Sequence, residues 1–404
     1  MRRADEVESL LPLTSLRFVA AMMIVVHHIK LYFPWSWSVK APSSLVHGVS
    51  FFFVLSGFIL THVYTSKPFP GYGRFMRARF ARLWPVHVFA LLVLVIFVRP
   101  DSISFDGPGI FSKWVVLAAN LTLTHSFVPF IAYAFSWNGV SWSISTEMFF
   151  YLMFPLLLIN IRRTWYLKLA GAAAVVALII VGVTAMHLPA DGGVQDLTVS
   201  SMLYTNPIAR LFEFCLGMST WVLWDRYIKP LKIGMLEWTA IELALCAALV
   251  GWLGWGFYAV AQHISNAALL SEFGEAGSCW LFAVLIAVMA SGRGVLARVL
   301  SLPFFVFLGE ISFSIYMLHQ ILLKFFGGWM PAGVTTPTMY FAAMFFCAAG
   351  SFVMVEKPMQ RLLTGKRRPA VSLARTPRGD LPVNRDRAAR ENGDAGRVYG
   401  RSGR

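Results

Sequence analysis

The stretch Leu16-Arg17-Phe18-Val19-Ala20-Ala21-Met22-Met23-Ile24-Val25-Val26-His27-His28-Ile29 reads as one apolar helix that carries ionisable side chains. Charge inside a membrane span is costly, so Arg17 and His28 are functional suspects by default. Their spacing adds geometry. At 3.6 residues per turn the two side chains share a helix face and lie roughly 16 Å apart along the axis. A fixed cation near one membrane surface is thus linked to a titratable imidazole near the other. His27 is offset by about 100° and is expected to face elsewhere, in packing or at the interface.

The rest of the 404-residue chain agrees with a membrane reading. It is 57% hydrophobic and 14% charged, with a mean hydropathy of +0.63. Soluble domains carry about 25% charged residues. The fold expected is all-α: a polytopic membrane helix bundle of about ten transmembrane helices plus one re-entrant or surface segment. The spans expected are 13–33, 43–66, 83–99, 141–161, 165–187, 206–224, 237–260, 277–291, 303–325 and 338–357. Each is near the length needed to cross ~30 Å of hydrocarbon, with 277–291 short. The run 110–128 contains Lys113, Asn120, Thr122, Thr124 and His125. If it crossed, Arg162/Arg163 and every later basic cluster would change sides, against the positive-inside rule. It is therefore expected to be re-entrant or surface-lying, as non-spanning backbone can be where it lines a cavity within the protein.

The same rule puts both termini in the cytoplasm and divides the chain into a leader 1–12, a membrane body 13–358 and a basic tail 359–404. From Gly365 onward the tail has eleven basic and four acidic residues and reads as disordered. The net charge of +15 thus sits in loops and tail and points to membrane topology, with no nucleic acid implied. Cys215, Cys246, Cys279 and Cys347 show no paired spacing and imply neither metal nor disulfide. The leader mixes acidic and basic residues, and no small-x-small site follows the first apolar run, so a signal peptide is not expected.

Counting from span ends gives each ionisable residue a depth. His28 lies about five residues from the outer end of its span; Glu147 and His319 lie about six from the ends of theirs. Arg210 and Glu213 are about four and seven residues into the sixth span. All five fall in one outer layer, where a polar site for general acid/base work is possible. Blander readings stand beside these. A single imidazole often only bonds two helices together, and Arg210 with Glu213 at i,i+3 makes a self-satisfied pair. Glu147 is the stronger candidate, since an unpaired carboxylate in lipid is expensive. No motif spacing fixes a metal among these residues. Arg74, Arg77, Arg79 and Arg82, expected in a loop after the second span, suit phosphate capture through guanidinium forks. They serve equally as a topology signal that holds anionic lipid. Gly48-Val-Ser-Phe-Phe-Phe-Val-Leu-Ser-Gly57 suggests close helix packing. Trp35, Trp37, Trp137 and Trp142 offer ring faces for a sugar, or an aromatic belt.

In chain order these features resemble the membrane acyltransferase-3 superfamily. The resemblance runs from about Leu13 to Pro358. It includes Arg17 and His28 as the family's Arg-x10-His motif, the Gly48–Gly57 stretch, Arg79-x-x-Arg82 followed by Pro85, and Ser141-Trp142-Ser143 leading to Glu147 and Tyr151. Arg210-Leu-Phe-Glu213-Phe with Gly217, Ile311-Ser-Phe-Ser with His319, and Glu356-Lys-Pro358 complete it. The resemblance implies an O-acyltransferase of the bacterial inner membrane. Its donor is cytoplasmic acyl-CoA, most commonly acetyl-CoA, with no permanently bound cofactor. Its acceptor is a hydroxyl of an extracytoplasmic or lipid-linked glycan, as in exopolysaccharide or lipopolysaccharide.

Arg17 and His28 carry over as essential residues. Arg79 and Arg82 carry over as the arginine motif, with Arg74, Arg77 and Arg17 alongside them for the CoA phosphates. Glu147 is the catalytic partner expected, and Trp142, Arg210, Glu213 and His319 are expected on the acceptor. Relatives with a fused esterase-like domain transfer through it; this chain is expected to complete the transfer within the membrane or to hand the group to another glycan-assembly protein. Membrane lipid is the remaining partner. Two other classes stay open. A proton-coupled transporter or flippase also uses buried Arg, His and Glu; acyl transfer by purified protein separates the two. A non-catalytic scaffold would depend on its tail and tolerate change at His28.

Overall fold

The computed structural model describes residues 10–32, 43–193, 196–330 and 336–365. Those residues are largely helical and, among them, no strand occurs. Nine of the described helices are long and apolar enough to cross a membrane. We number the elements used below as α1 (Leu11–Tyr32), α2 (Gly48–Thr65), α3 (Tyr72–Phe97), α4 (Lys113–Leu121), α5 (Trp142–Leu158), α6 (Ile161–Ala185), α7 (Pro207–Leu223), α8 (Met235–Gly251), α9 (Ala267–Ala276), α10 (Cys279–Ala290), α11 (Pro303–Trp329) and α12 (Pro337–Ser351). Helix α7, at 17 residues, is continued by a π turn, Trp224–Ile228. With that extension it lies where the sixth of the expected spans was read, beside the nine.

Three boundaries differ from expectation. The third span begins at Tyr72, well ahead of the expected start at Leu83, so all four arginines of the supposed loop lie on the first turns of α3. The eighth span, expected to be short, is preceded by α9, with a break at Gly277 and Ser278 before α10. The last span continues from α12 through a π turn, Phe352–Glu356, into Lys357–Thr364. In the 110–128 run, α4 has only nine residues, about 13 Å of helix, and does not cross the hydrocarbon. Trp84 Nε1 donates to the Leu121 carbonyl (2.9 Å), and His87 Nε2 bonds the Asn120 carbonyl (3.0 Å), tying this segment to α3. The leader 1–9, Trp35, Trp37 and the tail from 366 lie outside the described residues.

Two helix pairs position the site: α1 along α11, and α2 along α7. Both depend on backbone meeting backbone, as small residues permit in lipid. A carbon added at Gly57 of α2 would collide with the Phe214 carbonyl oxygen, and one at Gly217 of α7 would collide with that of Val54. At Gly309 of α11 the added carbon would run into the Thr14 carbonyl oxygen of α1. Only glycine fits these contacts. Buried Glu242 on α8 illustrates how a carboxylate is satisfied without chemistry: it accepts from the backbone N–H groups of Gly294, Leu296 and Ala297 at 3.0–3.3 Å. Those are the unpaired donors that begin the short helix Val295–Leu300.

Candidate functional site

The stripe Phe75, Arg79, Arg82, Val86 recurs at i, i+4, i+7 and i+11, one face of a helix. On α3 this stripe faces the bundle, while Arg74 and Arg77 are exposed. Arg79 and Arg82 thereby reach a cavity of about 190 Å³ that Arg17 of α1 also lines. Ser56, Ser143, Glu147, Tyr151 and Tyr316 complete its polar wall, and Phe52, Phe53 and Phe313 its apolar one. Three cations from two helices converge on one space.

Two carboxylates face them. Glu147 accepts from Tyr151 Oη one helical turn away and from Ser56 Oγ at 3.1 Å. Glu356 lies in the π turn after α12, accepts from Ser314 Oγ at 3.2 Å, and acts electrostatically on both Arg17 and Arg82. The extra residue of a π turn turns a side chain onto a face that a regular helix would not give it. Charge is not balanced here: three guanidinium groups meet two carboxylates. Arg79 packs over the rings of Phe75 and Tyr151, each centroid 5.8 Å from Cζ, and its buried Nε has no hydrogen-bond partner. A buried donor without an acceptor is rare and calls for an explanation.

Beyond the cavity, Ser143 Oγ and Tyr316 Oη bond at 2.8 Å, and both reach the Val140 carbonyl, at 3.0 and 3.1 Å. One turn further along α11 is His319, fully buried. His28 Nδ1 lies 3.0 Å from His319 Nε2. The hydrogen bonds fix the protons. His319 Nδ1 is 2.7 Å from the Tyr316 carbonyl oxygen, which only accepts, so His319 carries its proton on Nδ1. Its Nε2 then accepts, and with both rings neutral His28 Nδ1 donates to it. His28 Nε2 is left with a lone pair, and the Ile24 carbonyl one turn back also acts on the ring. This is the logic by which a hydrogen-bonded partner selects an imidazole tautomer. His27, beside His28 at a ring separation of 5.4 Å, does not join the pair.

The residues assigned to one outer layer thus separate into three places. His28 and His319 meet. Glu147 sits with the arginines, and the group bonded to His28 is an imidazole. Arg210 and Glu213 form a third cluster, both 1% exposed, with an ion pair of 2.7 Å. Arg210 also donates to Ser50 Oγ (3.3 Å), approaches Glu275 at 3.7 Å and packs over Phe53 and Trp142. Trp142 is itself buried against Phe53 and Tyr204, so its ring offers no free face to a sugar. That ring holds Arg210 in place.

Sequence reading missed several participants. Glu356 was visible as a carboxylate in an apolar run, yet its turn toward the arginines depends on the π turn. Ser143 stood in the Ser-Trp-Ser motif without a role, and Tyr316 carried no signal beyond a hydroxyl in a span. His47, His62, His87 and His125 are buried like His319, and each is tied to a neighbour: His47 to Ser278 (2.5 Å), His62 to Trp221 (3.2 Å), His87 to Asn120 and His125 to Ser141 (3.2 Å). Among the described residues, no three His, Cys, Asp or Glu side chains converge to hold a metal ion.

A family model described as an acyltransferase domain matches residues 13–356, a range that includes every side chain of the cavity and the imidazole pair. Acyltransferase MdmB of Streptomyces mycarofaciens is 28% identical, over 89% of this chain and 94% of its own length. Nodulation protein 10 of Rhizobium leguminosarum bv. viciae is 26% identical, over 78% of this chain and 83% of its own. Exopolysaccharide production protein ExoZ of Rhizobium meliloti (strain 1021) is 25% identical, over 78% and 89%. No solved structure matches the chain. A helical, multi-pass membrane body matched across nearly its whole length by that model makes the chain an acyltransferase and a member of the membrane acyltransferase-3 family.

Proposed function

We propose that this protein moves an acyl group, most simply acetyl, from acyl-CoA to a hydroxyl of a glycan or lipid-linked sugar on the opposite side of a bacterial inner membrane. The observation that carries this reading is the alignment of an arginine-lined cavity with an imidazole whose free nitrogen lies beyond it. Positive charge in the loops and tail supports an orientation with the arginine end and both termini in the cytoplasm. The name of one relative refers to exopolysaccharide production, which supports a glycan acceptor.

The roles follow from chemistry. Arg79 and Arg82, with Arg17 deeper in, hold phosphate oxygens of the donor; guanidinium forks match that geometry. Exposed Arg74 and Arg77 extend the positive surface outward. The cavity is smaller than the ~300–1,000 Å³ usual for ligand pockets, so it suits the narrow thioester arm while the nucleotide end stays at the surface. The arm then points from Arg17 toward His28. His28 Nε2 takes the proton of the acceptor hydroxyl as its oxygen attacks the thioester carbonyl carbon. The tetrahedral adduct collapses, the C–S bond breaks, and the departing thiolate takes the proton back from the imidazolium. Such base catalysis is typically worth 10²–10⁴-fold. His319 holds the tautomer that leaves Nε2 free. Glu147 and Tyr151 set the arginines rather than the base.

A covalent acyl-histidine is the alternative use of the same nitrogen. Rapid quenching with radiolabelled acetyl-CoA and no acceptor separates the two: label that stays on the protein and is lost in His28→Ala marks the covalent route. The reading as a whole is tested with purified protein in lipid vesicles. Acetyl-CoA turnover that depends on His28 and on the Arg79/Arg82 pair supports it; turnover indifferent to His28 overturns it.

A further inference from the structure

Two hydrogen-bond acceptors beside the imidazole pair lack donors. Asn138 precedes α5 and is 1% exposed. Its Nδ2 donates to the Met317 carbonyl of α11 at 3.0 Å. That bond fixes the amide: nitrogen faces the carbonyl, and Oδ1 is a true acceptor rather than a misassigned NH2. Oδ1 is buried and has no hydrogen-bond partner. Gln320 follows His319 on α11, and its Oε1 is buried and likewise unpartnered. The two residues approach each other across Gly139, where an added carbon would lie 3.0 Å from Gln320 Oε1.

More than nine in ten buried polar groups are paired, because an orphan forfeits its bonds to water and gains nothing in return. Two orphans of the same kind, one on the residue after His319 and one on a residue bonded to α11 two positions before it, call for a donor. An amide oxygen accepts from O–H and N–H alike, and the donor that the chemistry proposed at His28 brings to this place is the hydroxyl of an alcohol. We infer that Asn138 Oδ1 and Gln320 Oε1 form a hydroxyl-binding subsite that shares, in a three-centre bond, the proton of a second hydroxyl of the acceptor, next to the one His28 deprotonates. The inference rests on the reading of His28 as the base. It narrows the acceptor to compounds with neighbouring hydroxyls, such as a sugar ring, and gives Gly139 a role: any side chain there would press on Gln320. Asn138 and Gln320 are positioning residues; the reacting atoms belong to His28, thioester and alcohol.

The test uses full-length protein in vesicles, acetyl-CoA as donor, and two matched probes, trans-1,2-cyclohexanediol and cyclohexanol. The wild type is expected to prefer the diol by about tenfold in kcat/KM, the value of one good hydrogen bond. Gln320→Met and Asn138→Ala should each collapse that preference toward unity by raising the KM of the diol. Gln320→Glu, which keeps an acceptor oxygen at the same reach, should retain it. Equal use of the two alcohols by the wild type, or a preference that survives Gln320→Met, would assign the orphan atoms to internal water and overturn the inference alone. Absence of His28-dependent acetyl-CoA turnover overturns both the inference and the function it rests on.

Discussion

The two ends of α1 are wired in opposite senses. At the arginine end the excess is of donors: three guanidinium groups face two carboxylates, and Arg79 Nε has no acceptor. At the histidine end the excess is of acceptors: Asn138 Oδ1 and Gln320 Oε1 lack donors, and the tautomer of His28 leaves a lone pair on Nε2. One end suits an anion with many oxygens, and the other a neutral molecule with hydroxyls. Under the function proposed above, the contrast separates affinity from chemistry along a single helix. The third cluster pairs Arg210 with Glu213 and Glu275 inside the bundle and belongs to neither end.

The largest effect that would break this comparison lies at His28. His28→Ala should lower acyl transfer by 10²–10⁴-fold at unchanged protein level, measured as labelled acetyl transferred from acetyl-CoA. A variant within a few-fold of the wild type would remove the base from the histidine end. Next in size is the arginine end. Arg79→Ala/Arg82→Ala should raise the KM for acetyl-CoA by roughly 10–100-fold, from two lost charge-assisted bonds, with a smaller change in kcat. If kcat falls and KM holds, the arginines serve chemistry and the division of labour fails. His319→Leu should cost about tenfold in kcat by freeing the His28 tautomer, and His319→Gln should recover part of it, because a side-chain carbonyl accepts the same Nδ1–H. Equal loss in both variants would reduce His319 to packing. The smallest expected effect is at Arg74 and Arg77: exposed to solvent, they should alter KM by no more than about threefold when changed singly to Ala, with a dependence on salt.

Much of the fold was legible in the residues. Span number, the non-crossing 110–128 segment and the polar face of α1 follow from hydropathy, loop charge and the helical period. The site was legible in its parts but not in its grouping. Depth counting put Glu147 level with His28, yet a residue count fixes height and leaves azimuth free. Glu147 turns toward Ser56 and Tyr151 because Tyr151 is its i+4 neighbour on α5. The split of the arginines was available in principle: Arg79 and Arg82 continue the Phe75 stripe, and Arg74 and Arg77 do not. A loop reading of 74–82 concealed it. The roles of Glu356, Asn138 and Gln320 were out of reach, although Glu356 itself stands in a motif of the sequence. The first depends on a π turn, and the other two matter through atoms left unbonded, a property that exists only after packing. Trp142 shows the reverse case, an aromatic residue suited to sugar that the bundle uses to seat Arg210.

Gly309 fixes how closely α11 and α1 lie together. It lets α11 touch α1 at Thr14, and the same two helices are joined again at His28 and His319. Two rods fastened at two points neither slide nor twist. The roughly 16 Å between Arg17 and His28 therefore behaves as the set opening of a caliper. Under the proposed function, donors would be gauged by length as well as by charge: a molecule whose anionic end and carbonyl stand closer together than the jaws would leave one of them empty. Gly309→Ala would spring the caliper, with a loss of stability of about 1–3 kcal/mol visible as a lower Tm in detergent, and with it a blurring of the discrimination between donors of different reach.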